Sequence, residues 1–483
     1  MAPRQMIRFL LNDRPLTLSE LGAMDMLLDH LRLEQHLRGT KEGCAEGDCG
    51  ACTVLVGRLS KGALVYEPVN ACIRPLVTVD GCHVVTVEHL RGSDGGLHPV
   101  QRALVDHHGS QCGFCTPGFV MALYALWMQH PHPTEEQAER ALHGNLCRCT
   151  GYAPIIRAAL SMGDHGTTDP LMNERAQVAE TLRGWQDGAR VEVSKRGSRA
   201  LLPASDDDLA ALLTEFPDAR IVAGATDVGL WVTKFLRDLP LAVFISHLDR
   251  LRNITETDDA LLIGALASYE DARGPLLAHF PYLTRYWDRI AGWQVRAMGT
   301  IGGNIANGSP IGDTPPPFMA LGSRLVLRQG DARREIALED YFLDYGIQDR
   351  SAGEFVETVI LPKPAPDTLY KAYKISKRRN EDISAVAAGF AITVTDDRIT
   401  QARLAFGGMA ATPKRAAHAE AALTGQSFTL ETLRKAASAL PQDFTPLTDM
   451  RASADYRMQA AQNLFTRFWH ESQGQIATLE DAL

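Results

Sequence analysis

All nine cysteines of this chain lie in its first 149 residues, and their spacing constrains the fold more than any other feature. Eight of them form two groups of four, named here the first and the second cysteine group. The first comprises Cys44, Cys49, Cys52 and Cys72, and the second comprises Cys112, Cys115, Cys147 and Cys149. Clustered thiols of this kind bind metal in a reducing compartment, and the N-terminal segment lacks the apolar core of a secretory signal. We therefore expect two metal-bound groups in a cytoplasmic protein.

The first cysteine group has the spacing of a plant-type [2Fe–2S] site. Three cysteines follow the pattern C-x4-C-x2-C, and the fourth comes after a gap of nineteen residues, as in that class of cluster. The glycines of this loop, Gly43, Gly47 and Gly50, allow the backbone to wrap a cluster and to direct N–H groups at its sulfurs. A zinc site is the alternative, although zinc usually takes two similar C-x2–4-C pairs.

The residues around this group predict a ferredoxin-like β-grasp. A hairpin is expected over residues 6–18, with its turn at Asn12 and Asp13. Apolar residues at helical spacing predict an amphipathic helix over Ser19–Arg32, and Ala51–Val56 is expected to form a strand. Hairpin, helix, cysteine loop and strand follow one another in the order of a ferredoxin.

The second cysteine group combines a C-x2-C pair with a C-x-C pair. We expect three helices around it, over Phe119–Met128, Thr134–Leu142 and Pro154–Met162, the second of them opened by a capping box. The group would then lie at helix ends in a small bundle. Considered without its neighbours, it is compatible with zinc as well as with iron. The ninth cysteine, Cys82, lies in a valine-rich strand region and is expected to be a buried core residue.

Composition excludes several classes of partner. The chain has 49 Lys and Arg against 58 Asp and Glu, so its formal charge of −9 argues against nucleic acid or an anionic membrane. The longest apolar run, Phe119–Met128, has ten residues, whereas a membrane-spanning helix needs about 20. A length of 483 residues with 45% hydrophobic content fits several globular domains.

Two glycine-containing stretches later in the chain are candidates for binding phosphate. Ser205 is expected to cap a helix over residues 206–216, and a strand over residues 220–223 leads into Gly224. The second stretch, Gly299–Pro315, adds Asn, Ser and Asp side chains to its glycines. We expect both to be strand-to-loop segments in which missing side chains let backbone N–H groups reach a diphosphate. Ordinary turns remain the alternative for both, and neither fits the Rossmann G-x-G-x-x-G pattern.

Residues 44–52, 111–118 and 145–152 together resemble the iron–sulfur half of the molybdenum hydroxylases. This family includes xanthine dehydrogenase, aldehyde oxidase and carbon monoxide dehydrogenase. The resemblance implies that both cysteine groups hold [2Fe–2S] clusters. It also implies that the second cluster lies next to a molybdenum cofactor and that the first faces a flavin.

The two later stretches are similar to the FAD domain of the same family, which implies FAD as a further cofactor. The implied residues are Arg220, Ile221, Val222, Ala223, Gly224, Ala225, Thr226, Asp227 and Val228 for the pyrophosphate, Thr300, Ile301, Gly302, Gly303 and Asn304 for the flavin and phosphates, Asp313 for the ribose or adenine side, and Lys374 for the flavin. Ile290 stands where the animal enzymes stack an aromatic residue on the flavin ring.

The predicted fold class is multidomain α+β, in five parts. We expect a plant-type [2Fe–2S] ferredoxin domain over 1–90 and a helical, four-helix-type second [2Fe–2S] domain over 91–165. A linker over 166–194 carries one helical stretch near 174–186. A two-part FAD-binding domain of the non-Rossmann type over 195–375 is followed by a small α+β C-terminal flavoprotein domain over 376–483.

The resemblance implies an electron-transfer subunit of a xanthine dehydrogenase. A large partner subunit would hold the molybdenum cofactor and oxidise hypoxanthine to xanthine and xanthine to urate, and this chain would pass the electrons to NAD+. The implied assembly is an α2β2 heterotetramer, with no nucleic acid or membrane partner and no catalytic acid or base on this chain. The alternatives are the small subunit of a hydroxylase acting on aldehydes or N-heteroaromatics, and a non-catalytic iron–sulfur redox protein.

Overall fold

The computed structural model describes residues 2–91, 95–167, 169 and 171–475. The other residues, which the predicted first, second, linker and C-terminal domains include, lie outside the described part. The chain forms two compact units. Unit 1 consists of the chain up to Arg250 with Ser268–Glu270 and Ala291–Gly299, and unit 2 consists of Leu251–Ala267, Asp271–Ile290 and the chain from Thr300 onward. The predicted five-part division is finer than these units and stays a prediction.

Unit 1 contains two sheets and the α-helices that precede residue 250. Its strands are β1 (Ile7–Leu11), β2 (Arg14–Leu18), β3 (Thr53–Ser60), β4 (Ala63–Asn70), β5 (His83–Val85), β6 (Val191–Lys195), β7 (Ser198–Leu202), β8 (Arg220–Val222) and β9 (Leu241–Phe244). Its helices up to that point are α1 (Leu27–Asp29), α2 (Pro99–Asp106), α3 (Thr116–Gln129), α4 (Glu135–Leu142), α5 (Ala153–Ser161), α6 (Met172–Gly184), α7 (Asp206–Glu215) and α8 (Val228–Thr233). A π-helical turn covers His30–Glu34, and 3-10 turns cover Leu76–Val79, Val87–Leu90, Met162–His165 and Asp249–Arg252.

The first sheet has the strand order β2-β1-β5-β3-β4. β1 and β5 run parallel and the other pairs are antiparallel, so the predicted ferredoxin-like sheet is present. The predicted N-terminal hairpin is confirmed, since Leu11 pairs with Arg14 across the two-residue turn. Asn12 adopts φ 57° in this turn, a left-handed conformation that asparagine tolerates better than most residues. Cys82 is buried beside this sheet, as expected of a core residue.

The predicted helix over Ser19–Arg32 is wrong in its first half. Regular helix begins only at Leu27, and the preceding residues are held by another part of the chain. Met26 forms a β-bridge with Pro75, and the backbone N–H of Leu27 donates to the carbonyl of Arg74 at 2.9 Å. These long-range hydrogen bonds replace the local ones, so tertiary structure overrides the helical periodicity. The apolar pattern still identified buried residues, among them Leu31.

The predicted helices around the second cysteine group are confirmed as α3, α4 and α5, and α2 completes a set of four. Pro117 lies in the first turn of α3, where its missing N–H costs no hydrogen bond. Thr134 opens α4 with the predicted capping box, because its side chain accepts from the N–H of Gln137 and the Gln137 side chain accepts from the N–H of Thr134. These helices share a core that includes Phe119 and Trp127.

The second sheet of unit 1 has the order β6-β7-β9-β8 and supports the Gly224 loop. β7 and β8 each pair in parallel with β9, and Val222 pairs with Phe244 in the core. The predicted helix after Ser205 is confirmed as α7, whose Asp208 N–H donates to the Ser205 hydroxyl at 3.1 Å. The predicted helical stretch in the linker is α6.

Beyond residue 250 the elements belong mainly to unit 2. The strands are β10 (Ile254–Glu256), β11 (Ala260–Gly264), β12 (Arg324–Gln329), β13 (Ala332–Ala337), β14 (Phe342–Asp344), β15 (Ile347–Gln348), β16 (Phe355–Pro362), β17 (Thr368–Ile375), β18 (Val386–Thr395), β19 (Arg398–Gly407) and β20 (Lys414–Arg415). The helices are α9 (Tyr269–His279), α10 (Thr284–Trp287), α11 (Trp293–Met298), α12 (Ile301–Ala306), α13 (Pro315–Ala320), α14 (Leu338–Tyr341), α15 (Ala417–Leu423), α16 (Leu430–Ala437), α17 (Leu440–Asp443) and α18 (Ala454–Ser472), with a 3-10 turn at Pro281–Leu283. Helix α11 belongs to unit 1.

Unit 2 contains two antiparallel sheets and a short hairpin of β14 and β15. One sheet has the order β10-β11-β16-β12-β13, and the other has the order β17-β18-β19-β20. The strands predicted over 385–394 and 399–406 are confirmed as β18 and β19. They pack with α15, α16 and α18 around a core that includes Phe390, so the predicted α+β class holds at the C-terminal end. Among the residues described, no helix has the length and apolar character needed to cross a membrane.

Candidate cofactor sites

The four thiols of the first cysteine group converge in unit 1. Cys52 and Cys72 are buried and their Sγ atoms lie 3.3 Å apart, whereas Cys44 and Cys49 are partly exposed. The backbone N–H groups of Glu46 and Cys49 each point at Cys44 Sγ from 3.4 Å. The loop therefore directs backbone donors at a cysteine sulfur, as the glycine content of the sequence predicted.

Hydrogen bonds among the four thiols of the first group show that they lie close together. Hydrogen bonds from Cys49 and Cys72 hold the pKa of Cys44 far below its usual range, and the bond to Cys44 raises the pKa of both partners. A hydrogen bond from Cys72 likewise lowers the pKa of Cys52. Thiols that compete for protons in this way are close enough to ligate one compact inorganic group.

The glycines of the first loop are required for two different reasons. A Cβ on Gly43 would lie 2.7 Å from Cys49 Sγ, so this glycine makes room for a thiol. Gly47 and Gly50 have φ 81° and 66°, and a Cβ on Gly50 would lie 2.0 Å from the carbonyl oxygen of Gly144. The loop thus fits a metal cluster on one side and packs against the second cysteine loop on the other.

The second cysteine group also assembles, and it does so in two pairs. Cys112 and Cys149 are exposed and share a hydrogen bond, which raises the pKa of Cys149. Burial and the hydrogen bond to Cys147 raise the pKa of Cys115 to about 12. Burial opposes ionisation of Cys147, yet hydrogen bonds from Thr150 leave its pKa below the usual value.

Tyr152 restrains the C-x-C segment, a role that the sequence reasoning missed. The backbone N–H of Cys147 donates to the Tyr152 hydroxyl at 3.0 Å. Tyr152 itself has φ 68°, a left-handed conformation that is rare for a bulky residue and costs roughly 1–2 kcal/mol. Backbone outliers of this kind concentrate where a ligand must be held, which agrees with a cofactor at this loop.

Neighbouring thiols contact one another in both groups. The contacts are those of Cys44 with Cys49 and Cys72, of Cys52 with Cys72, of Cys112 with Cys149, and of Cys115 with Cys147. Four thiols in such contact fit a binuclear cluster that takes two cysteines on each iron.

The two cysteine groups are joined directly within unit 1. The backbone N–H of Leu146, next to Cys147, donates to the carbonyl oxygen of Cys49 at 3.0 Å. The first loop also contacts the segment that follows the Gly224 stretch. The Thr233 hydroxyl on α8 donates to the carbonyl of Ala45 at 2.7 Å.

The first predicted FAD stretch, residues 220–228, forms β8, a tight loop and the start of α8 in unit 1. A Cβ on Gly224 would lie 1.8 Å from the carbonyl oxygen of Met298, so this glycine admits a neighbouring backbone. The two residues after Gly224 present backbone N–H groups that suit an anion. Ala225 has φ 61°, and the backbone N–H groups of Ala225 and Thr226 donate to no acceptor in the part of the chain that the structure describes. Two such N–H groups in a left-handed turn are typical of phosphate-binding concavities.

The outer members of this stretch meet at a tryptophan that the sequence reasoning missed. The Arg220 guanidinium lies over the Trp231 ring, 4.7 Å from its centroid. The indole Nε1 of Trp231 donates to the Asp227 carboxylate at 3.0 Å. Val222 points into the core, so it supports the loop rather than lining it.

The second predicted FAD stretch differs from expectation. Residues 301–306 form the short helix α12 instead of a strand-to-loop segment, with the Thr300 hydroxyl capping the N–H of Gly303 at 3.1 Å. Threonine is among the residues favoured at the N-cap, so Thr300 is itself a local signal for this helix. A Cβ on Gly302 would lie 2.5 Å from the Ala265 Cβ, so this glycine too serves close packing.

The remaining predicted residues of unit 2 are brought together with this helix. Asn304 Oδ1 accepts from the hydroxyl of Thr314 at 2.6 Å. The Lys374 ammonium is buried and uses its three protons on Asp313 Oδ1, Asp313 Oδ2 and Ser384 Oγ, at 3.0, 2.9 and 2.8 Å. Ile290 is buried, with 3% of its surface exposed. Its neighbour Arg289 donates to the Lys374 carbonyl at 2.7 Å.

Comparison with known proteins agrees with these sites. Three family models match: "FAD binding domain in molybdopterin dehydrogenase" over residues 196–364, "CO dehydrogenase flavoprotein C-terminal domain" over 371–472, and "[2Fe-2S] binding domain" over 86–160. The last range contains all four cysteines of the second group. These matches support FAD and iron–sulfur as cofactors and define an iron–sulfur flavoprotein.

Comparison with full-length proteins identifies the family more closely. Xanthine dehydrogenase of Emericella nidulans is 34% identical over 533 residues, and the match covers 97% of this chain and 39% of the xanthine dehydrogenase. Aldehyde oxidase 2 of Cavia porcellus is 32% identical, covering 89% of this chain and 37% of its own length. This chain thus spans well under half the length of these relatives.

A solved structure of a related enzyme has a similar fold over part of this chain. Reconstituted CO dehydrogenase from Oligotropha carboxidovorans has a chain that is 27% identical with a TM-score of 0.53, covering 57% of this chain and 97% of that chain. The fold and sites thus define an oxidoreductase with iron–sulfur and flavin cofactors. The chain belongs to the molybdenum hydroxylase family and contains its iron–sulfur and FAD-binding portion.

Proposed function

We propose that this chain is the electron-transfer subunit of a xanthine dehydrogenase. The observation that carries the proposal is a continuous set of contacts in unit 1. The second cysteine group is joined to the first by the hydrogen bond between Leu146 and Cys49, and the first loop contacts α8, which follows the Gly224 loop, through Thr233 and Ala45. Sites that exchange electrons must be close and rigidly held. These contacts support a path from the second cysteine group through the first to the Gly224 loop.

We propose that each cysteine group ligates one [2Fe–2S] cluster. The mutual contacts of the four thiols in each group support this assignment, and the spacing of the first group supports the plant type. The residues proposed as ligands are Cys44, Cys49, Cys52 and Cys72 in the first group and Cys112, Cys115, Cys147 and Cys149 in the second. When bound, two such clusters and FAD supply one-electron and two-electron redox chemistry, while the protein orients them.

We propose that the loop from Ala223 to Asp227 binds the diphosphate of FAD. The two N–H groups of Ala225 and Thr226 support this role, since they are oriented in a left-handed turn that suits an anion. In unit 2, Thr300–Asn304, Asp313 and Lys374 are proposed to contact the flavin, phosphates and ribose. Lys374 has each of its three protons engaged by Asp313 and Ser384, so a flavin contact from its ammonium requires exchange of one of these bonds.

The proposed partner is a large subunit that holds the molybdenum cofactor and oxidises hypoxanthine to xanthine and xanthine to urate. NAD+ is the proposed final acceptor, an α2β2 heterotetramer the proposed assembly, and the cytoplasm the proposed location. The exposed Cys112 and Cys149 support an outward-facing second group, with exposed Phe114 and Tyr152 beside them. We propose no catalytic acid or base on this chain.

A second candidate is the small subunit of a hydroxylase that oxidises aldehydes or N-heteroaromatic compounds. The match to aldehyde oxidase 2 of Cavia porcellus, at 32% identity, favours this candidate almost as much as the first. The purified complex should be assayed with xanthine, an aldehyde and an N-heteroaromatic compound. Turnover of an aldehyde without turnover of xanthine would establish the second candidate and contradict the first.

The relay itself is tested by removing one ligand of the second group. We expect Cys147→Ser to abolish electron transfer from xanthine to NAD+ while FAD remains bound, because the path is interrupted before the flavin. Iron content, the visible spectrum and flavin content of the purified complex are measured alongside turnover. Cys82→Ala is the matched control, since the Cys82 thiol is buried and its hydrogen bond goes to the carbonyl of Asp80 rather than to a cysteine of either group, so iron content and turnover should be unchanged. Normal turnover in Cys147→Ser with its cluster absent would refute the relay.

A further inference from the structure

A buried ring of hydrogen bonds joins the two cysteine loops, and its centre is a side chain far from both in sequence. Gln294 lies on α11 and has 1% of its surface exposed. Its Nε2 donates to the Thr53 hydroxyl and to Asn145 Oδ1, both at 2.9 Å. Thr53 directly follows Cys52, and Asn145 precedes Cys147 by two residues.

The ring closes on the carbonyl oxygen of Gly50, inside the first cysteine loop. The Thr53 hydroxyl donates to this oxygen at 2.6 Å, and Asn145 Nδ2 donates to it at 3.2 Å. Thr53, Asn145 and Gln294 are all buried. Because water is excluded, each bond in the ring is costly to leave unmade.

The direction of the bonds requires an amide at position 294. Both protons of the Gln294 amide are used, and Gln294 Oε1 is buried without a partner in the described part of the chain. A flipped amide would place an oxygen against the acceptor Asn145 Oδ1. The glycine at 144 leaves the space for Oε1, since a Cβ there would lie 2.0 Å from that atom.

Helix α11 also contacts the Gly224 loop at its other end. The carbonyl oxygen of Met298 fills the position that a Cβ of Gly224 would take. Met298 is four residues from Gln294, about 6 Å along a helix. One rigid helical turn therefore connects the proposed diphosphate loop to both cysteine loops.

We propose that Gln294 is a positioning residue that sets the separation between the two [2Fe–2S] clusters and thereby the rate of electron transfer between them. This inference rests on the proposed function, in which both cysteine groups hold clusters. The two hydrogen bonds that the Gln294 amide donates go to Thr53 and Asn145 and not to a cysteine. It acts through Thr53 and Asn145, which hold the backbones on which the ligands are placed.

The test uses the purified complex with its cofactors, reduced with dithionite and examined by low-temperature electron paramagnetic resonance. The magnetic coupling between two reduced clusters depends steeply on their separation. We expect Gln294→Leu and Gln294→Glu to weaken or broaden this coupling while both cluster signals persist. The rate of electron transfer between the clusters, measured by rapid photoreduction, should fall severalfold, because electron tunnelling slows steeply as the separation of two redox centres grows.

Two controls separate positioning from general damage. Gln329→Leu removes an exposed glutamine that donates to the Ala352 carbonyl at 2.7 Å, and it should change neither coupling nor rate. If Gln294→Leu does not fold, Thr53→Val and Thr53→Ser test the same ring, because valine removes the hydroxyl and serine keeps it. We expect the valine variant alone to weaken the coupling.

The outcomes discriminate between the two proposals. Two clusters with unchanged coupling and rate in Gln294→Leu, or in Thr53→Val where the first variant does not fold, would overturn the role of Gln294 and leave the proposed function intact. An unaltered complex without two cluster signals would overturn the proposed function and this inference with it. Equal effects from Gln329→Leu would also overturn the role of Gln294.

Discussion

Substitution of Gly50 by alanine should separate the two cysteine loops, and its cost follows from the structure in two parts. Gly50 has φ 66°, and an alanine in the left-handed region costs roughly 1–2 kcal/mol. The new Cβ would also lie 2.0 Å from the Gly144 carbonyl oxygen and 2.6 Å from Asn145 Nδ2. Such overpacking adds about 1–3 kcal/mol. We expect Gly50→Ala to destabilise unit 1 by roughly 2–5 kcal/mol in total.

Gly62→Ala is the matched control for this substitution. Gly62 has φ 81°, but nothing lies within 4 Å of its added Cβ, so only the backbone term remains. Thermal unfolding of unit 1 should shift by about 2–4 °C per kcal/mol. We therefore expect a shift of about 2–8 °C for the control and roughly 4–20 °C for Gly50→Ala, together with loss of iron from the first group. Equal shifts for the two variants would refute the reasoning, because the contact with Gly144 would then carry no weight.

Three further substitutions test other parts of the sites. Gly224→Ala should destabilise the protein by about 1–3 kcal/mol and reduce bound flavin, since its Cβ would meet the Met298 carbonyl at 1.8 Å. Tyr152→Phe should cost about 1 kcal/mol in unfolding free energy, because the N–H of Cys147 loses its acceptor. Burial lowers the pKa of His98 to about 4 from 6.5, so between these pH values the imidazole is protonated in the unfolded chain but not in the folded one. The contribution of His98 to the free energy of unfolding is fully present above pH 6.5 and should fall by about 3 kcal/mol as the pH drops to 4. His98→Leu should therefore reduce the pH dependence of the unfolding free energy, measured with urea over that range.

Each of these predictions has a result that contradicts it. Gly184→Ala, where an added Cβ meets nothing within 4 Å, should be neutral or slightly stabilising, and a loss equal to that of Gly224→Ala would contradict the packing argument. Tyr456→Phe, at an exposed position, should leave the melting temperature unchanged. If the unfolding free energy of His98→Leu depended on pH as strongly as that of the unsubstituted protein, other groups would cause the loss of stability in acid.

Local signals in the sequence were sufficient for most secondary structure around the sites. The capping box at Thr134, the first-turn Pro117 and the N-cap Ser205 each act within one helical turn, so their effect does not depend on distant residues. The helix predicted over Ser19–Arg32 failed because Met26 and Leu27 bond to residues near 75, far along the chain. Periodicity identified which side chains are buried but not which backbone partners they find.

The glycines of the predicted FAD stretches show the same limit of the sequence. That Gly224 and Gly302 let phosphate approach the backbone stays a prediction. The fold adds a second reason for these glycines, because an added Cβ would meet the Met298 carbonyl at position 224 and the Ala265 side chain at position 302. The left-handed conformation of Ala225 also became evident only in the fold.

The number and spacing of the cysteines identify two four-thiol groups, because spacing within a loop is a local property of the chain. How these groups are joined depends on contacts between segments that lie far apart in sequence. Gln294 lies 149 residues beyond Asn145 and 241 residues beyond Thr53 in sequence, and it bonds to both. Such long-range hydrogen bonds form only when separate elements pack together, so the sequence contains the eight cysteines while the fold sets the distance between the two groups.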